Sequence, residues 1–96
     1  MTEWMFSDPP NVAVFTTRSI VREGAWIARV FHDADDGSWQ FHDSTPGEPP
    51  EEEAMIVALS SMVLRDGTLN DLADLPEGWC AWRDGPAAPW KRGRIG

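Results

Sequence analysis

Two histidines and three carboxylates fall within the segment His32–His42, HDADDGSWQFH. These are the residue types of a catalytic zinc centre, where imidazole nitrogens and a carboxylate hold the ion and water takes the open position. They also suit an acidic calcium loop. Both chemistries make geometric demands. Zinc needs three protein ligands within about 2.0 to 2.3 Å of one point, with each histidine steered through its other ring nitrogen. A calcium loop of the helix–loop–helix kind needs glycine at its sixth position and glutamate at its twelfth. Counted from Asp33, glycine falls fifth (Gly37) and serine twelfth (Ser44), so the calcium pattern fails.

The elements that carry these residues decide the zinc case. Ala25–Phe31 and Ser38–His42 read as two strands, joined through Asp36-Gly37, a dipeptide suited to the positive-φ positions of a hairpin turn. Side chains alternate between the faces of a strand, so Trp26, Ala28 and Val30 share one face, as do Trp39 and Phe41 on the other strand. Pairing Val30 with Trp39 and Ala28 with Phe41 unites them as one apolar surface, leaving Arg29 opposite Gln40 and Ile27 opposite His42. In that register His42 lies about 13 Å along the strand from the turn that carries Asp33, Asp35 and Asp36. His32 and His42 point to opposite faces and share no ion. A metal site built on His32, Asp33, Asp35 and His42 requires the other register, with Arg29 on the face of Trp39.

Around this hairpin the chain is punctuated clearly. Asp8-Pro9-Pro10-Asn11 is a break, and residues 1–11 read as an arm bearing Trp4 and Phe6. Val12–Thr16 is β-branched and reads as a strand, followed by a connection over Thr17–Gly24. Asp43–Pro50 holds Pro46, Gly47, Pro49 and Pro50 and is a loop. Glu51-Glu52-Glu53 then opens an expected helix to about Leu64, since carboxylates complement a helix N-terminus and Met55, Ile56, Leu59, Met62 and Val63 form one helical stripe. Arg65 and Gly67 suit its end. The leucines at 69, 72 and 75 suggest tight helical turns, and Trp79–Arg83 a last strand. The expected architecture is α+β: a single small domain over residues 12–92, mainly an antiparallel sheet of about four strands with one main helix packed on it, and a tail at 93–96.

Other chemistry is sparse. Glu51-Glu52-Glu53 shares one environment, whereas paired acid/base carboxylates need different ones. Cys80 is the lone cysteine, so the fold does not depend on a disulfide. As a nucleophile it would need a nearby base or cation, and only Arg83 is close in sequence; a buried structural thiol is the expectation. Six Trp, four Phe and no Tyr make the core rich in indoles whose N–H groups need partners. Trp26, Trp39 and Phe41 are expected in it, while Trp4, Trp82 and Trp90 are harder to enclose, and exposed tryptophans suit a protein-binding surface.

The formal net charge of -8 repels nucleic acid and anionic lipid. Lys91, Arg92 and Arg94 are read as a frayed, solvated end. No apolar run approaches the roughly 18 residues of a membrane span, and the start has no basic-then-apolar pattern. The cytoplasm is therefore the expected location, with no cofactor.

In order, VFTTRSI, VFHDADDGSWQFH, the acidic entry to LSSMV, LNDLADLPEGWCAWR and PWKR resemble a family of small bacterial proteins of unknown function related to the immunity-protein-like domains of polymorphic toxin systems. The resemblance covers about residues 12–92, and DGSWQF and DLPEGWCAWR are its most specific pieces. It implies an α+β domain with an antiparallel sheet, no catalytic residues to carry over, and a class that works by binding and blocking a toxin. The acidic balance would suit a basic toxin such as a nuclease. The functional expectation is thus a non-catalytic protein-binding module using Asp33, Asp35, Asp36, Trp82 and Trp90. The alternative is a small metal-dependent hydrolase or sensor built on the His32–His42 segment.

Overall fold

The computed structural model describes residues 4–95. Met1–Glu3 of the expected arm and Gly96 of the expected tail lie outside the described residues. The elements run β1 (Ala13–Thr17), α1 (Arg18–Glu23), β2 (Arg29–His32), β3 (Trp39–His42), β4 (Ala54–Ala58), α2 (Leu59–Arg65), β5 (Trp79–Trp82) and β6 (Lys91–Arg94). Short 3₁₀ turns occupy Glu51–Glu53 and Gly67–Leu72. All six strands form one sheet in the order β4-β1-β3-β2-β5-β6, antiparallel throughout except for the parallel pair β1–β3.

This is α+β in one small domain, with two more strands than expected and two short helices in place of one main helix. The expected helix over 51–64 is the main correction. Its first half is the strand Ala54–Ala58, paired with β1 from Ala54↔Thr17 to Ala58↔Ala13. A short apolar run of this kind fits either periodicity, and tertiary pairing decides. Met55 and Val57 turn partly inward while Ala54 and Ile56 face solvent. Only Leu59, Met62 and Val63 of the predicted stripe ride on a helix, with Leu59 and Met62 buried. The presumed connection Thr17–Gly24 holds α1, which buries Ile20 and closes on Gly24 at φ 77°.

The hairpin has the predicted faces but a register shifted by two residues. Val30 pairs with Phe41 and His32 with Trp39, in place of Ala28 with Phe41 and Val30 with Trp39. The cause is a tighter tip: Asp33 N–H donates to Ser38 O at 2.9 Å, and Gly37 N–H to Asp33 O at 3.0 Å, with Gly37 at φ 72°. His32 therefore joins the strand. Because the shift is even, no side chain changes face. Trp26 and Ile27 precede β2, so the alternation expected there fails: Ile27 is buried, and Trp26 is half-buried with its ring 5.9 Å from the Arg83 guanidinium.

One face of the sheet is covered by α1, α2 and the 67–75 turns, where Ile20, Leu59, Met62, Leu69, Leu72 and Leu75 meet Val14, Val30, Phe41 and Ala81. The arm is packed onto this side. Phe6 meets Trp39 edge-on at 5.3 Å, and Asp8 satisfies two indoles, its backbone oxygen accepting from Trp4 Nε1 and its Oδ2 from Trp39 Nε1, each at 2.6 Å. The chain's end is also ordered. Arg92 pairs with Asp74 at 2.7 Å, Lys91 with Asp84 at 3.0 Å, and Arg94 lies 5.7 Å from the Trp79 ring, so the basic residues form an edge strand and are not frayed.

Candidate functional site

The sheet has a second face, and among the described residues no helix crosses it. Strand pairing places Ile56, Phe15, Gln40, Phe31 and Cys80 in one row across it, with His42, Arg29, Trp82 and Lys91 in the adjacent row. Burial agrees with this side being open: Ile56 is 65% exposed, Phe15 45% and Trp82 38%. These side chains alternate with core residues along their strands, so they are outward by the same periodicity that buries Val14, Val30 and Ala81.

Between the aromatic positions lies a polar chain. Gln40 Nε2 donates to Asp33 Oδ2 at 2.7 Å, which turns Gln40 Oε1 toward His42, and His42 Nε2–H donates to it at 3.1 Å. Burial, and then the charge of Arg29, push the His42 pKa below its ordinary 6.5. The bond to the Gln40 oxygen places a proton on His42 Nε2. The Pro-rich loop arches beside it. Arg29 donates through Nη2 to Thr45 O at 2.5 Å and to Asp43 O at 3.3 Å, and Ser19 Oγ donates to Asp43 Oδ2 at 2.5 Å. The Asp43 carboxyl is opposed by burial, but bonds from Ser19 and Thr45 together with Arg29 outweigh that and hold it below its usual range. A cavity of about 300 Å³ lies under this loop, between Ser19, Arg29, His42, Asp43, Glu48 and Glu53. Of its charged groups, Arg29 and Asp43 fasten the loop to the sheet.

The two histidines stand on opposite faces. His32 stacks on Trp39 at 3.8 Å on the covered side, and its Nδ1–H donates to Leu75 O at 2.7 Å. His42 belongs to the open side. Among the described residues no group of three or more His, Cys, Asp or Glu side chains is arranged to hold a metal ion. Cys80 and His42 share a face, but β2 lies between their strands, so they stand at least about 10 Å apart, too far for a thiol–imidazole pair. Burial raises the Cys80 pKa, and Arg83 is engaged elsewhere.

Of the residues expected at a binding surface, Asp35 and Asp36 are exposed at the hairpin tip, Asp33 is half-buried beside Gln40, and Trp82 is outward on the open face. Trp90 lies apart from them. Its ring covers the Arg83 guanidinium at 4.2 Å and its Nε1 donates to Thr68 Oγ1 at 3.3 Å, so it belongs to the other side. No known family model, characterised protein or solved structure matches this chain. Sequence reasoning missed Phe15, Phe31 and Ile56 as surface residues. The alternation Val14/Phe15/Thr16 carried the signal for Phe15; Ile56 was hidden by reading its segment as a helix.

Proposed function

We propose that the protein is a non-catalytic binding module that takes up a protein partner on the open face of its sheet. The observation that carries this reading is the uncovered set of Phe15, Ile56 and Trp82, with half-buried Phe31 between them, on a chain of net charge -8. Aromatic groups at the centre of a patch supply most of the energy of association, and charge at its rim supplies steering and selectivity. Glu48 in the loop borders Phe15 and Phe31, and Asp35 and Asp36 are exposed at the hairpin tip. The partner favoured by this charge is basic. Together with the resemblance of the chain to immunity-like domains, this supports an inhibitory role in which the module blocks a basic toxin in the bacterial cytoplasm. A hydrolytic role has less support, since the imidazoles and carboxylates of the first hairpin divide between two faces.

The test is co-expression with the product of each neighbouring toxin-like reading frame, scored by relief of growth arrest and by co-purification. One product should be neutralised and retained. Phe15→Asp and Trp82→Asp should abolish both effects while circular dichroism stays unchanged. Relief that survives both substitutions would overturn the assignment of the open face.

A further inference from the structure

The two edges of the sheet differ in kind. β6 carries Lys91, Arg92 and Arg94, the charge that protein edges use to repel further strands. β4, AMIVA, has neither charge nor proline. Its hydrogen-bonding phase follows from one contact. Leu59 N–H donates to Val12 O at 2.9 Å, and bonded pairs alternate along an antiparallel ladder, so Val57 with Val14 and Met55 with Thr16 exchange bonds. Ala54, Ile56 and Ala58 therefore turn their backbone groups away from β1. Ala54 N–H is taken by Glu51 O, and the carbonyl of Ala58, the residue capping α2, belongs to the first helical turn. Ile56 N–H, Ile56 C=O, Ala58 N–H and Ala54 C=O are left pointing outward from a strand that has no further neighbour among the described residues.

We propose that a second copy of this chain pairs with β4 across a two-fold axis at Ile56. In that antiparallel register the two Ile56 residues exchange their N–H and C=O groups, and each Ala58 N–H meets the Ala54 C=O of the other copy, so every outward group finds a partner. Side-chain sizes fit as well: Ala54 faces Ala58, Met55 faces Val57, and the exposed pair Phe15 and Ile56 becomes one apolar row across the seam.

Charge selects this arrangement over the other pairings of like edges. Two β6 edges would set Lys91, Arg92 and Arg94 against their own kind. A parallel β4 pair would bring the two Glu51-Glu52-Glu53 clusters together. The antiparallel pair places those clusters at opposite ends, about 25 Å apart and well beyond the roughly 8 Å screening length at physiological salt. The open faces of both copies would then form one continuous sheet. This inference shares Ile56 with the proposed binding face but rests on the backbone groups of the edge, so it stands or falls without that reading.

Sedimentation velocity over a micromolar to millimolar range, in physiological salt, tests it. The wild type should show a monomer–dimer equilibrium, with amide exchange of Ile56 and Ala58 slowing as the dimer forms. Ile56→Pro removes the outward donor and no hydrogen bond of the β1 ladder, so it should weaken the dimer at least about tenfold without unfolding the chain. Ile56→Lys should do the same. A wild type that stays monomeric, a dimer indifferent to both substitutions, or open-ended polymers from head-to-tail pairing would overturn the proposal.

Discussion

The covered and open faces of the sheet are built from the same strands, yet they solve opposite problems. On the covered side bulky and polar groups are matched. Trp39 and Trp4 give their indole protons to Asp8, His32 gives its proton to Leu75 O, and Arg83, with 1% of its side chain exposed, binds Asp66, Ile27 O and Thr68. On the open side Phe15, Ile56 and Trp82 remain in water. The covered face spends its apolar area on stability, whereas the open face keeps apolar area available. The difference teaches that hydrophobic content alone does not locate the core of a small domain; the side of the sheet does.

The contrast breaks most visibly at Phe41. Phe41→Ala empties a fully enclosed position and should cost about 3 to 5 kcal/mol, measured by urea unfolding. Arg83→Ala follows. It strands Asp66 and the carbonyl of Ile27 and uncovers Trp90, for an expected loss of about 3 kcal/mol by the same measurement. The contribution of Asp66 also has a pH signature. Burial opposes its ionisation, but hydrogen bonds from Thr68 and Arg83 win, and its pKa is lowered from 3.8. A lowered folded pKa stabilises at pH above the unfolded value, so this part of the stability is present at neutral pH and fades as pH falls below about 4.

Thr16 sharpens the comparison in the other direction. Its Oγ1 is buried and has no hydrogen-bond partner among the described residues, so Thr16→Val should raise stability by about 1 kcal/mol. The smallest effect belongs to His42. Its pKa is depressed by burial and by Arg29, so the unfolded chain takes up a proton near pH 6.5 before the folded one does. Stability should therefore be full above pH 6.5 and decline as pH falls toward the depressed folded value. In His42→Gln that slope should vanish from unfolding midpoints taken between pH 7 and pH 5.

Much of this division was legible in the chain before any coordinates. The alternation in Val30, Trp39 and Phe41, with Asp36-Gly37 at the turn, placed the hairpin faces and separated the histidines. Parity survived although the register moved by two residues, because burial specifies the face while the closing bond Asp33–Ser38 specifies the pairing. AMIVA was not legible as a strand. Five apolar residues after three glutamates read equally well as a helix start, and only pairing with β1 resolves them. The arm and tail were hidden for a related reason. Phe6 and Arg92 are fixed by contacts to Trp39 and Asp74, partners 33 and 18 residues away, and local composition carries no trace of such contacts.

The most direct measurement is the unfolding free energy of the double variant Phe15→Ser, Trp82→Ser beside that of Phe41→Ala. If the open face is held for a partner, the double variant should stay within about 1 kcal/mol of the wild type while Phe41→Ala loses several. A loss in the double variant as large as that of Phe41→Ala would show that the open face is part of the folding core and would contradict the account.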